Sequence, residues 1–201
     1  MSSGIDIKYI QETYRQMGDD ELKIVATEDA HGLTPEAIEV VKAEIERRGL
    51  DNNISKSVDA QNKEYTAQEI DAYCALISQL SCPLCGSTSE RLNATMTGET
   101  MSFIFITHYK KKLKIACPQC LDKANDSALN KSVMMGWWGV PWGIIKTIQS
   151  IMLNTKSKKT NHSADHNGYL RNFALHTIGQ LEVYRDNENK LKEVIVKQNN
   201  S

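Results

Sequence analysis

The chain has 201 residues, a net charge of −1, 40% apolar residues and five cysteines. Near-neutrality excludes a global electrostatic pull towards nucleic acid or an anionic membrane, and the length allows one domain or two small ones. The start, Met1-Ser2-Ser3-Gly4-Ile5-Asp6, lacks the basic and apolar regions of a secretory signal, so export is not expected and a reducing cytoplasm suits the thiols.

Residues 5–50 predict a small helical N-terminal module. Ile7, Ile10, Tyr14 and Met17 recur at helical spacing up to Gly18, and Asp19 reads as the N-cap of the next segment. Thr34-Pro35 opens a further helix with an apolar stripe of Ala37, Ile38, Val41 and Ile45, stopped by Gly49. So thin a core is expected to pack on another part of the chain. Residues 51–64 are polar and aperiodic, which predicts a linker. Thr66 and Glu69 then form a capping box for a helix with Ile70, Tyr73, Cys74, Ile77 and Leu80 on its apolar face, where Cys74 is expected as a buried free thiol.

The central stretch carries two matched pairs, Cys82-Pro83-Leu84-Cys85-Gly86 and Cys117-Pro118-Gln119-Cys120. The C-x-x-C spacing aims two thiolates at one point, and two such pairs suit a tetrahedral four-sulfur site holding one structural Zn2+ ion. Four thiolates close the coordination shell, which argues against a catalytic metal with an open position. The odd cysteine count disfavours a disulfide framework, and a thioredoxin-like motif needs a single pair in a βαβ setting. Four thiolates can also hold an iron–sulfur cluster, so spacing alone leaves iron open. Met101–Thr107 and Leu113–Ala116 predict two strands, with Tyr109, Lys110, Lys111 and Lys112 as a polar hairpin tip. The second strand would deliver Cys117 to the metal, as in a zinc ribbon.

Leu121–Met135 is rich in helix formers and runs into Gly136-Trp137-Trp138-Gly139-Val140-Pro141-Trp142-Gly143, which holds all three tryptophans. The following helix puts Ile144, Ile145, Ile148, Ile151 and Met152 on one side and Lys146, Gln149, Ser150 and Asn154 largely on the other. Two readings compete for this segment. In one it is the soluble core joining the ribbon to its flanking helices. In the other Trp137, Trp138, Trp142, Ile144 and Ile148 contact a membrane or a protein partner, with Lys156, Lys158 and Lys159 drawn to anionic headgroups. Lys146, Pro141 and the glycines argue against a spanning helix. The zinc unit with its helices and tryptophan segment therefore covers 65–155. Residues 156–168 predict a second linker with solvated His162 and His166. Residues 169–197 predict C-terminal helices on Leu170, Phe173, Ala174, Ile178, Leu181, Leu191, Val194 and Ile195, with His176 as a hydrogen-bonded core residue.

The cysteine pairs and the tryptophan–glycine–proline run together resemble a group of uncharacterised bacterial zinc-ribbon proteins, in which a similar hydrophobic segment follows the second pair. The similarity covers 82–153 and the ending 170–195, and residues 8–50 resemble a short helical module found at the start of assorted bacterial proteins. In that group the hydrophobic segment is often treated as membrane-associated; the resemblance implies a metal-stabilised scaffold and supplies no catalytic residues.

The expected fold class is mainly α with a small β-hairpin, an α+β chain with helices flanking a four-cysteine site. No nucleophile–base pairing, phosphate-cradling loop or open-site metal motif is present, so an enzyme is not expected. The expected function is a zinc-stabilised interaction scaffold, cytoplasmic or peripheral to the inner leaflet, with an unidentified protein partner. The alternative is a nucleic-acid-binding ribbon using Tyr109, Lys110, Lys111, Lys112 and Lys114.

Overall fold

Capping residues set where the N-terminal helices begin. In the computed structural model, which describes residues 7–104 and 106–201, Thr34 Oγ1 accepts from the Ala37 N–H at 3.3 Å and starts α3 (Pro35–Arg47). Residues 1–6, and Phe105 of the expected first strand, lie outside the described residues. Before α3 come α1 (Ile7–Gln16) and α2 (Asp19–Ile24), followed by a π turn at Val25–Asp29. Gly18, not Asp19, is the N-cap of α2; its N–H donates to Glu21 Oε2 at 2.9 Å.

Residues 51–64 are not a linker. Asp51 accepts from the Asn53 N–H at 2.9 Å and caps α4 (Asn52–Gln61). Ile54 and Val58 pack with Ile10, Leu22, Val41 and Ile45 in one core cluster. The only large apolar residues of α4 are these two, four apart, so burial rather than periodicity makes the helix. The module does pack on the rest of the chain, at α9 (Ile178–Val183). There a Cβ on Gly179 would stand 2.4 Å from Gln61 Nε2 and 2.5 Å from the Thr27 carbonyl.

The second core joins α5 (Ala67–Ser78), α8 (Gly168–His176), α9 and α10 (Glu188–Asn200) to the base of a β-hairpin. Its centre is Cys74, Ile77, Leu92, Ile115, Leu121, Leu170, Leu181 and Ile195. Thr177 separates α8 from α9. The end of α10 closes the open side of the sheet, because Asn199 Oδ1 accepts from the Ile115 N–H at 2.8 Å and its Nδ2 donates to the Ile115 carbonyl at 2.9 Å.

Strands β1 (Asn93–Phe103) and β2 (Ile106–Ala116) pair antiparallel from Asn93↔Ala116 to Phe103↔Ile106. The hairpin turns at 103–106, so Tyr109, Lys110, Lys111 and Lys112 lie inside β2 and not at its tip. β1 starts eight residues before its apolar run because Asn93–Thr100 pairs through backbone and faces polar neighbours, which leaves no apolar alternation to read. Helices α6 (Pro118–Met135) and α7 (Trp142–Lys158) form a second hairpin packed mainly on β1. The chain is thus mainly helical with one small antiparallel sheet. No described helix is long and apolar enough to cross a membrane.

Candidate metal centre and apolar surface

The first cysteine pair sits in a turn between α5 and β1. The Cys82 N–H donates to the Ser87 carbonyl and the Gly86 N–H to the Cys82 carbonyl, each at 2.8 Å. Gly86 takes φ +75°, which a side chain would resist. The second pair sits on a helix start rather than a second strand turn: Cys117 is the N-cap of α6, Pro118 its first residue, and Cys120 falls in its first turn. The four sulfurs lie within 4.8 Å of one another, with Cys85 and Cys117 3.7 Å apart. A tetrahedral zinc with Zn–S bonds of about 2.3 Å has sulfur–sulfur edges of about 3.8 Å, so this cluster can hold a metal ion. No disulfide joins the cysteines.

Electrostatics favour thiolates unevenly. Burial disfavours the charged form of Cys82, but N–H donors from Cys117, Leu84 and Cys85 bring its thiol down to about 7. Burial pushes Cys117 and Cys120 up, and for Cys120 the neighbouring Cys117 and Cys85 thiols add to the rise. A divalent cation held here would supply the missing positive charge, and the N-terminus of α6 adds part of it. Cys82 and Cys117 are buried with Leu80, Leu92, Ala116 and Leu121, so the centre ties α5, the hairpin base and α6 together.

A second cluster, Asp71, Cys74 and His166, also falls within 4.8 Å. Its groups are already partnered inside the protein. Asp71 takes two hydrogen bonds from Arg171, at 2.7 and 2.9 Å, and His166 stands between Asp71 and Ser78 at 3.3 Å from each. Ser78 is only 2% exposed, so its hydroxyl is enclosed within this packing network. Cys74 is a buried free thiol, pushed up to about 12 by burial and then by Asp71.

The histidines near the chain's end behave differently from one another. His162 and His166 do not share a helix face; His162 reaches Asp122 at 3.0 Å. His176 is hydrogen-bonded to the Asn172 carbonyl at 2.7 Å but is exposed, contrary to the expected core position.

The tryptophan segment is turned outward, which overturns its reading as soluble core. Trp138 is 72% exposed, Trp142 63% and Trp137 42%. Val133, Met134, Val140, Ile144, Ile145, Ile148 and Met152 are exposed around them, and Phe103, Ile104 and Ile106 at the β-hairpin tip extend the same surface. The two tips adjoin: a Cβ on Gly139 would lie 2.8 Å from Thr107 Oγ1 and 3.1 Å from Ser102 Cβ.

The inner face is polar. α7 buries Gly143, Thr147, Ser150, Asn154 and Ser157 against β1 and α6. Asn154 Nδ2 donates to the Gly98 carbonyl at 2.7 Å, Ser132 Oγ accepts from the Thr100 N–H at 3.0 Å, and Thr95 Oγ1 donates to Asn125 Oδ1 at 2.9 Å. Glycine makes the close approach possible: a Cβ at Gly136 would lie 1.9 Å from Thr147 Oγ1, and one at Gly143 2.7 Å from the Gly136 carbonyl. In the motif the glycines point in and the tryptophans point out. The residues that sequence inspection missed are Thr100, Ser132, Ser150 and Asn154 as an interior, and Phe103, Ile104 and Ile106 as part of the exterior. The signal was the small or polar stripe 143, 147, 150, 154, 157 opposite an apolar face.

The basic residues are rearranged as well. Lys156, Lys158 and Lys159 stand at the far end of α7 from the tryptophans, and Lys158 is paired with Asp126 at 2.7 Å. Lys114 donates to the Asn199 carbonyl and is occupied by α10. Tyr109, Lys110, Lys111 and Lys112 form a row along β2 behind the apolar tip, with alternate residues on opposite faces. No family model, no curated protein and no solved structure matches this chain.

Proposed function

We propose that this protein is a non-enzymatic, zinc-stabilised scaffold that docks on a membrane through the end formed by the β-hairpin tip and the α6–α7 turn. The observation that carries the reading is polarity turned inside out at this end: hydroxyl and amide side chains fill its interior while three tryptophans and the ten other large apolar groups named above face outward. In water, each large apolar side chain left exposed forgoes about 1.5–3 kcal/mol of burial. Against lipid the arrangement is the expected one, because small and polar residues then make the internal contacts and apolar residues meet the acyl chains. Tryptophan also favours the zone between headgroup and hydrocarbon.

No helix crosses the bilayer in this reading. The apolar face of α7 from Ile144 to Met152, about 12 Å of helix, lies in one leaflet in the manner of an interfacial helix. Zinc is preferred to an iron–sulfur cluster because four separate thiolates at tetrahedral spacing suit a single ion. Its role is to fix the base from which both hairpins project. A thiolate centre of this kind suits the cytoplasmic leaflet, and the bilayer is the partner this surface fits.

Flotation with vesicles of mixed zwitterionic and anionic phospholipid tests the proposal. The protein is expected to float, and a Trp138→Ser/Trp142→Ser/Ile148→Ser variant to stay in the soluble fraction with its metal content unchanged. A wild-type protein that never floats contradicts the reading, whether it stays monomeric or the apolar end pairs with a second copy.

A further inference from the structure

Charge in this nearly neutral chain is segregated. Segments 98–115 and 127–153, which form the apolar end and the belt behind it, contain Lys110, Lys111, Lys112, Lys114, Lys131 and Lys146 against one acid, Glu99. Glu99 is paired with Lys131 at 3.1 Å and stands opposite Lys110 in the strand register. Two ammonium groups from different elements converge on one ring: Lys111 Nζ lies 5.7 Å and Lys146 Nζ 5.2 Å from the centre of Tyr109. Among the described residues neither has a carboxylate partner, and Lys146 donates only to Gln149 Oε1, at 3.1 Å. Tyr109 itself packs over β1, where a Cβ on Gly98 would lie 3.5 Å from its ring.

We infer that Lys111 and Lys146, gathered by Tyr109, with Lys110 at a similar depth on the other face of β2, bind the phosphates of anionic phospholipid headgroups and make docking selective for an anionic leaflet. The inference rests on the membrane reading given under Proposed function. Position supports it. Lys110 and Lys111 stand four and five residues behind Ile106, about 13–17 Å from the tip at strand rise. Lys146 lies on the flank of α7, roughly 140° around the helix from the middle of the apolar face. Insertion of the tip by about 5–10 Å leaves these flexible side chains level with the headgroups while the isoleucines meet the acyl chains. Two like charges drawn to one ring without a counter-ion repel each other, and a lipid phosphate removes that repulsion at the depth where lysines are known to gain from anionic lipid.

The test measures binding of the full-length, metal-loaded protein to phosphatidylcholine vesicles with a rising fraction of phosphatidylserine. Lys110→Ala, Lys111→Ala and Lys146→Ala are compared with Lys156→Ala at the distal end of α7, all checked for unchanged metal content. Each belt substitution is expected to weaken binding to phosphatidylserine vesicles about five-fold, with Lys156→Ala close to wild type. Raised salt should erase most of the difference. Equal binding to neutral and anionic vesicles, unaffected by the belt substitutions, overturns the inference and leaves the membrane reading intact. The same holds if Lys156→Ala weakens binding as much as the belt variants. Binding of a single-stranded oligonucleotide that the belt substitutions abolish, with vesicle binding unchanged, overturns it in favour of nucleic acid. Absence of binding to any vesicle overturns both.

Discussion

The hydroxyls of Thr100 and Ser150 meet at 2.6 Å between β1 and α7, and Thr100 Oγ1 lies a further 3.0 Å from the Lys146 carbonyl, to which it donates. Asn154, one turn along α7, donates to the Gly98 and Ser150 carbonyls at 2.7 and 2.8 Å and accepts from the Gly98 N–H at 3.2 Å. These side chains occupy the positions where a water-soluble unit would place leucine or valine. Hydrogen bonds of about 1 kcal/mol each, rather than apolar burial, join the two hairpins.

Removing Asn154 therefore costs more than its size suggests. Asn154→Ala leaves the Gly98 N–H buried without its side-chain partner and the Gly98 carbonyl with only the 3.4 Å contact from Ser132 Oγ, and a loss of about 2–3 kcal/mol is expected in denaturant unfolding. A change below about 0.5 kcal/mol would mean that water reaches this interior.

Gly136, the C-cap of α6, lies against Thr147 of α7. Gly136→Ala would press a methyl group against Thr147 Oγ1 and the Ser132 carbonyl, 1.9 and 2.5 Å from the ideal Cβ. A destabilisation of about 3 kcal/mol is expected. Adding Thr147→Ala should recover part of it, since one of the two obstructing groups is then gone. No recovery in the double variant would show that the helices do not approach here.

Metal removal should unfold the base of the hairpins. Native mass measurement is expected to find one zinc ion per chain. Chelation should expose Cys82, Cys85, Cys117 and Cys120 to alkylation while Cys74, fully buried on α5, reacts only on global unfolding. Cys82→Ser should abolish metal retention and lower the melting temperature sharply. A metal-free chain with four freely alkylated thiols and an unchanged cooperative melt would refute a structural metal.

The N-terminal module carries its own acid sensitivity. Arg47 and Arg48 each reach the Glu44 carboxylate at 2.6 Å. Hydrogen bonds from Arg47, opposed by burial and assisted by Arg48, hold Glu44 at about 2 instead of the usual 4.5. A carboxylate pKa that is lower folded than unfolded stabilises the fold at neutral pH, and the contribution fades as pH falls from about 4.5 to about 2. Glu44→Gln is expected to be less stable at neutral pH and to lose less than wild type across that window. Parallel acid-denaturation curves for the two proteins would contradict the assignment.

Much of this architecture is legible in the sequence where one local rule acts alone. Thr34-Pro35 and the Thr66–Glu69 capping box each fixed a helix start, and the two C-x-x-C pairs fixed the metal cluster, because those signals depend only on neighbours a few residues apart. α4 was hidden since Ile54 and Val58 make too thin a stripe to show before Val41 and Ile45 cover them. β1 was hidden in part since its threonines pair with Asn125 and Ser150 from distant helices. The tryptophan segment resisted for a different reason. Ile144 and Asn154 mark two faces of α7 clearly, but the rule that apolar faces point inward assumes water outside, and only the packing of Gly136 against Thr147 reveals which face is the interior.

All three tryptophans of the chain lie in the proposed docking end, so intrinsic fluorescence reads that end without a label. On titration with phosphatidylserine-containing vesicles, the emission of Trp137, Trp138 and Trp142 is expected to shift to the blue, to become shielded from aqueous quencher and to be quenched by bromine placed on the upper acyl chain. Emission that stays at its aqueous wavelength, equally quenchable with and without vesicles, would contradict membrane docking by this protein.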